Sequence, residues 1–201
     1  MRISLAISLL LLPVFSSAKA SMEDQIPVYL DTPGPEYVPQ TTPQPTIADL
    51  LTIEPSASIF YSYAREVELS QLFSDKDSKI TLFVPTNKAV MALARKPHEG
   101  PQLDVELEMT EEQYEKRSKR NVERWVSAHI VPEYPLSFDS NTHETALNHK
   151  SLTFTPIAKN DGKGPEWSRV TLENGIKIIG KKEALNGDLY LIDGAISVAV
   201  N

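Results

Sequence analysis

"ITLFVPTNKAV" (Ile80–Val90) passes from an apolar run, through Pro-Thr-Asn, into a helix-like run. The first half reads as a buried strand, and Pro85 ends it because proline cannot donate to a sheet ladder. Thr86 is placed to cap a helix whose inward face holds Ala89, Val90 and Leu93. The stretch therefore predicts a strand-to-helix corner, with Thr86 and Asn87 satisfying the free amides of the helix.

Working upstream, "TIAD" sets Asp49 three residues after Thr46, a capping box that opens the folded region. "SASIFYSYAREV" places Ile59, Phe60, Tyr63, Ala64 and Val67 on one helical stripe. "LSQLFSD" reads as a further short turn or helix. Downstream, Lys96–Met109 carries Pro97, Gly100 and Pro101 and reads as a surface loop. A second capping box, Thr110 with Gln113, starts a helix with Val122, Trp125, Val126, His129 and Ile130 at helical spacing. Pro132 and Pro135 are expected to end it. The pattern then turns to strands: "SLTFTPI", a hairpin about Asn174-Gly175 in "RVTLENGIKIIG", a turn at Asn186-Gly187, and a last apolar strand in "DLYLIDGAISV". Helices first and strands second predict an α+β domain with mainly antiparallel pairing.

The amino terminus sets the expected compartment. "MRISLAISLLLLPVFSSAKA" has Arg2, an apolar centre and a small-x-small site at Ala18-Lys19-Ala20, the pattern of a secretory signal peptide over residues 1–20. The apolar stretch is too short to span a bilayer, and no second long apolar run exists, so no membrane span is expected. Residues 21–45 carry six prolines with few aliphatic side chains and read as a poorly ordered leader. The folded domain is then 46–201. There are no cysteines, so the core must hold the fold without disulfides. Cleavage would remove Arg2 and Lys19 and take the formal charge from −7 to −9, which argues against a nucleic-acid partner.

"TLFVPTNKAV", then "AHIVP", then "NGDLYLIDGAI", with "LNHKSLTF" and "VTLENGIKII" between them, resemble in order and spacing the motif regions of the fasciclin-like domain family. The resemblance covers nearly all of residues 46–201. It implies a twisted β-sandwich wedge with helices packed along one edge, and a secreted or cell-surface setting in which many members serve adhesion or matrix binding. The single short domain looks most like fungal lumenal members, which implies the cell wall, the extracellular space, or the lumen of the vacuole or endoplasmic reticulum. Three departures stand out. Ala128 precedes the middle histidine where the family often has an aromatic residue. His149 replaces the glycine of the family's "LNGK" turn, leaving Asn148 to take the positive φ. The 96–120 stretch is longer and more charged than the family pattern implies.

Pro85, Thr86 and Asn87 form either a structural corner or, since family interaction surfaces lie near such motifs, part of a binding face. His129 lies on an apolar stripe without a serine or cysteine nucleophile motif, so a buried, hydrogen-bonded role is expected rather than a general base. Asp193 beside Gly194 reads as a turn-stabilising acceptor rather than a catalytic carboxylate. His143 and His149 lack ligands at metal-site spacing, and turn positions and solvent exposure account for them. No phosphate loop, nucleophile elbow or zinc helix occurs, so neither cofactor nor metal is expected. In "EKRSKR" (Glu115–Arg120), Lys116, Arg117, Lys119 and Arg120 form a basic run. It reads as a solvated helix face, then as a surface for an acidic partner, then as a dibasic processing site. The function expected is non-catalytic binding of a protein or glycan, with a small-ligand carrier or enzyme using the domain's cleft as the alternative.

Overall fold

The structure is a computed structural model, and it describes residues 44–101, 109–157 and 163–198. The expected signal peptide and residues 21–43 of the expected leader lie outside that range. Helix α1 (Ile47–Ile53) opens with the Thr46–Asp49 capping box, both reciprocal hydrogen bonds being present. After a 3₁₀ turn over Pro55–Ala57 comes α2 (Ser58–Ala64), which buries Phe60 and Ala64. The expected stripe is cut short here: Val67 lies beyond the helix, ahead of a second 3₁₀ turn, Glu68–Ser70. The short α3 (Gln71–Ser74) follows.

Strand β1 (Ile80–Pro85) is buried along its whole length. Thr86 caps α4 (Asn87–Met91), its side chain accepting from the Ala89 amide at 3.3 Å. Leu93 lies past the end of α4 and is half-buried. Helix α5 (Glu111–Ala128) starts at the Thr110–Gln113 capping box and buries Val122, Trp125 and Val126. It stops earlier than the prolines suggest. His129 is the C-cap, and Ile130–Val131 forms strand β2, which pairs antiparallel with β1. An apolar pair at this point suits a helix face or a central strand equally well, so the pattern alone could not separate them.

Two short ladders come next. Strands β3 (Thr142–Glu144) and β4 (Ser151–Thr153) pair with each other, as do β5 (Thr155–Pro156) and β6 (Val170–Thr171). The LNHK turn joins β3 to β4, and His149, not Asn148, takes positive φ at 63°. The histidine thus adopts the conformation of the glycine it replaces, one that histidine tolerates better than most side chains. The Asn174-Gly175 turn is present, both residues at positive φ, but its arms meet in a single bridge, Thr171 to Lys177. The long strand β7 (Ile178–Ala184) instead pairs with β8 (Gly187–Ile192) across the Leu185-Asn186 turn.

The main sheet has the order β2-β1-β8-β7. Its central pair, β1 with β8, is parallel, with Ile80 opposite Gly187 and Pro85 opposite Ile192. The other four pairings among the described strands are antiparallel. The sheet is covered on both faces. Leu82, Val84 and Leu189 pack with Ile47, Leu51, Phe60, Trp125 and Val126 of the helices. Phe83, Tyr190 and Ile192 pack with Leu152, Phe154, Val170 and Leu172 of the short ladders. Burial on both faces explains why β1 reads as a continuous apolar run rather than an alternating one.

Candidate functional site

The corner residues spend their polar groups on the fold. The Thr86 amide donates to the Ile192 carbonyl at the end of β8. Asn87 does not cap its own helix as expected. Its Oδ1 accepts from the Ile59 amide (2.9 Å), and its Nδ2 donates to the Pro55 carbonyl (2.9 Å) and Ser58 Oγ (3.0 Å). It therefore supplies the N-terminal cap that α2 lacks, since Ala57 offers no side-chain acceptor.

His129 is fully buried. Its Nδ1 lies 2.7 Å from the Trp125 carbonyl and its Nε2 3.1 Å from the Ile196 amide. A carbonyl can only accept and an amide only donate, so the ring carries its proton on Nδ1 and uses both nitrogens on backbone. Burial pushes its pKa down to about 4, against the weaker opposing effect of the Trp125 carbonyl. Asp193 Oδ1 accepts from the Lys177 amide (2.8 Å), while its own amide donates to the Lys177 carbonyl (3.1 Å). Gly194 follows in the bend, where a Cβ would lie 2.7 Å from Ile176 Cγ1, so only glycine passes there without displacing a core side chain.

Of two histidines expected at exposed turn positions, one departs from expectation. His149 is an exposed turn residue, but His143 is buried on β3. Its Nδ1 lies 2.8 Å from Glu133 Oε2, and Nε2 is 3.9 Å from Asp139 Oδ1. The sequence reading found no acidic partner because these carboxylates come from the connection before β3, at no recognisable ligand spacing. Among the described residues no three His, Asp or Glu side chains gather as a metal site.

The basic run occupies the first turns of α5. Lys116 pairs with Glu112 (2.7 Å) and Lys119 with Glu115 (3.1 Å), all four side chains more than half exposed. Arg117 leans on Met109 Sδ (3.9 Å), and Arg120 is exposed.

Two polar residues missed in the sequence organise the interior. Asn186 is fully buried, accepting from the Ile47 amide (2.9 Å) and donating toward the carbonyls of Leu72, Phe73 and Asp75. Lys150, also buried, pairs with Glu173, whose other oxygen accepts from the Ser197 amide at 2.6 Å. An Asn-Gly dipeptide signals a turn, and a lysine in "LNHK" signals surface. Neither local pattern carries the long-range partner.

Apart from Asn186, these anchors bear on one surface feature. A groove of about 510 Å³ lies between the segment after α4, the later turns of α5 and the chain after β8. Leu93, Trp125, Ile196 and Val198 form its apolar floor and walls, and Arg95, Lys96 and Arg124 stand at its rim. Thr86 and Asn87 fix α4 and so deliver Leu93. The Asp193-Gly194 bend turns the chain out of β8 toward the groove. There His129 holds the Ile196 amide and Glu173 the Ser197 amide. Arg95 Nε donates to the Gly100 carbonyl and Asn121 Nδ2 to the His98 carbonyl, which pins the loop on the near side. A second depression of about 590 Å³ shares that loop through His98, and it carries Glu66, Glu68 and Glu123.

Comparison with known proteins agrees with this architecture. The sequence profile of the Fasciclin domain matches residues 55–198. A FAS1 domain-containing protein of Emericella nidulans is 32% identical over 160 residues, covering 77% of this chain and 62% of that protein. Its counterpart in Aspergillus fumigatus is 29% identical, covering 77% and 64%. The chain thus spans less than two thirds of the length of these relatives. Among solved structures, a FAS1 domain pair from the insect cell adhesion molecule fasciclin I superposes with a TM-score of 0.51 at 14% identity, covering 76% of this chain and 51% of that one. The Fasciclin profile spans most of the chain, and the sheet, the corner and every helix except α1 fall within the matched residues: this chain belongs to the fasciclin domain family.

Proposed function

We propose that the chain is a non-catalytic interaction module of the secretory pathway, binding a protein partner in an adhesion or cell-wall setting, and that the groove is its binding face. One observation carries this reading. His129, Asp193, Thr86 and Asn87, the residues that would have to do chemistry, direct their polar atoms at backbone and thereby position the walls of an open, partly apolar groove. Apolar surface rimmed by polar groups is characteristic of interaction sites. The family's adhesion-type members support the same direction.

The test uses two wall residues that are only half-buried, Leu93 and Val198. Leu93→Asp and Val198→Asp should leave the melting temperature close to wild type while abolishing co-purification of the native partner from the source cell. Capture unchanged in both variants refutes the groove as the binding face. The volume also favours a second reading, a small-ligand carrier, since pockets of roughly 300–1,000 Å³ take drug-sized molecules. Native mass spectrometry of the protein purified from its own cell separates the two: a stoichiometric small-molecule adduct removed by Leu93→Asp supports the carrier.

A further inference from the structure

We propose that the groove recognises an extended acidic peptide segment bearing aliphatic side chains, presented by a partner protein. The inference rests on the interaction-module reading and names the chemistry of its partner.

The first argument is charge. The chain carries a formal −7, yet three cations, Arg95, Lys96 and Arg124, ring one groove. They come from two separate elements, the loop after α4 and the middle of α5. Among the described residues, neither the Lys96 ammonium nor the Arg124 guanidinium has a carboxylate partner within ion-pair distance. Elsewhere Lys116, Lys119, Lys181 and Lys182 are paired, while Lys76, Lys79, Lys88 and Lys177 have no carboxylate in reach among the described residues. The neighbouring depression is lined by three glutamates and Lys119, whereas no carboxylate lines the groove among the described residues. Three cations around an apolar groove whose described lining holds no carboxylate, in an otherwise acidic molecule, select an anionic partner.

The second argument is the floor. Leu93 and Val198 are aliphatic and half-buried, while Ile196, 1% exposed, and Trp125, 5% exposed, lie beneath them, so Trp125 offers little ring face for stacking. A glycan would want an open aromatic face and a fringe of neutral hydrogen-bonding groups. Aliphatic side chains suit this floor, at about 25 cal/mol per Å² of apolar area removed from water. A fatty carboxylate would satisfy the floor but carries a single charge and leaves two of the three cations unmatched. A peptide in which acidic and aliphatic residues alternate meets both, because side chains on an extended backbone point alternately to opposite sides. The floor takes one set and the rim reaches the other.

The third argument is pre-organisation. Trp125 is packed against Phe60, Tyr63 and His129 with ring centroids 4.9–5.8 Å away. The Ile196 and Ser197 amides are tied to His129 and Glu173, and the near loop to Arg95 and Asn121. Little ordering remains to be done when a ligand arrives.

The probe is a fluorescein-labelled heptapeptide of alternating Asp and Leu, titrated with the purified full chain and read by anisotropy. Two control peptides replace every Asp by Asn or every Leu by Ser, and laurate serves as a competitor. Binding of the Asp-Leu peptide should saturate. Lys96→Glu and Arg124→Glu should each weaken it about fivefold, and the pair more than about tenfold. Raising ionic strength until the screening length falls to about 3 Å should weaken it comparably. Both controls should bind at least about fivefold more weakly. Equal binding of the Asn peptide, indifference to the charge reversals, or binding of laurate without the peptide each overturns the proposal. These failures are separable from failure of the underlying reading. If the native partner is still captured in a Leu93-dependent way while the peptide does not bind, only the peptide chemistry falls. If native capture ignores Leu93→Asp, the interaction face itself is wrong.

Discussion

Asn186 shows how much one side chain can hold. Its amide joins the first turn of α1 to the carbonyls that end α3, from within the β7–β8 turn. Asn186→Ala strands one buried amide and several buried carbonyls, each worth about 1–3 kcal/mol. With partial relaxation, a loss of about 3 kcal/mol is expected in urea unfolding at constant slope. A change below about 1 kcal/mol would show that water replaces the amide. His129 makes a different demand. Its folded pKa of about 4 lies below the ordinary value near 6.5, so the unfolded chain takes up the proton first. The contribution is fully present above about pH 6.5 and is lost as pH falls toward 4, at about 1.4 kcal/mol per pH unit. His129→Ala should lower the melting temperature at pH 7, by leaving the Ile196 amide and Trp125 carbonyl unsatisfied, and should flatten the decline between pH 6.5 and 4. A variant whose stability falls as steeply as wild type over that window assigns the acid sensitivity to other groups.

At the scale of elements, two of the glycines in the β-rich half, Gly187 and Gly175, separate steric need from backbone preference. Gly187 has φ +148°, and a Cβ there would lie 1.8 Å from the Ile80 carbonyl oxygen, inside the β1–β8 pairing. Gly175 has φ +74° with nothing within 4 Å of its would-be Cβ. Gly175→Ala should cost about 1–2 kcal/mol from the left-handed backbone alone. Gly187→Ala must also displace a strand and should cost about 3 kcal/mol or more, or prevent folding. Comparable melting temperatures for the two variants would contradict this geometry. On α5, neutralising Lys116, Arg117, Lys119 and Arg120 together removes two exposed i,i+4 pairs worth a few tenths of a kcal/mol each. The melting temperature should therefore barely move. Elements governed by local chemistry were legible in the sequence: both capping boxes, the corner at Pro85-Thr86, and the turns at Asn174 and Asn186. Pairing across distance was not. Nothing in "ITLFVP" says that its neighbour is a parallel strand near the far end of the chain. Nothing in Asn87 says that it caps α2 rather than its own helix. The groove is less legible still, since its walls come from three separated stretches and none is marked as a surface by its own pattern.

For the whole molecule, the edge of the folded unit can be probed at Pro45. Pro45 was read as the last leader residue, but its carbonyl accepts from the Leu185 amide at 2.9 Å. We expect deletion of residues 21–43 to leave the melting temperature unchanged, and extension of the deletion through Pro45 to lower it measurably. A large loss from the shorter deletion would mean that the leader contributes to the fold. The parallel pairing of β1 with β8 also governs how the chain comes into being. A ribosome releases residues in order, so the opening strand emerges early, as six residues that are all buried in the finished sheet. Its central partner, β8, emerges about a hundred residues later. Until then that strand has an open, apolar edge, which makes nascent and truncated chains clients for chaperones and substrates for quality control. A stop codon anywhere before β8 would leave not a smaller domain but a polypeptide unable to close its central sheet.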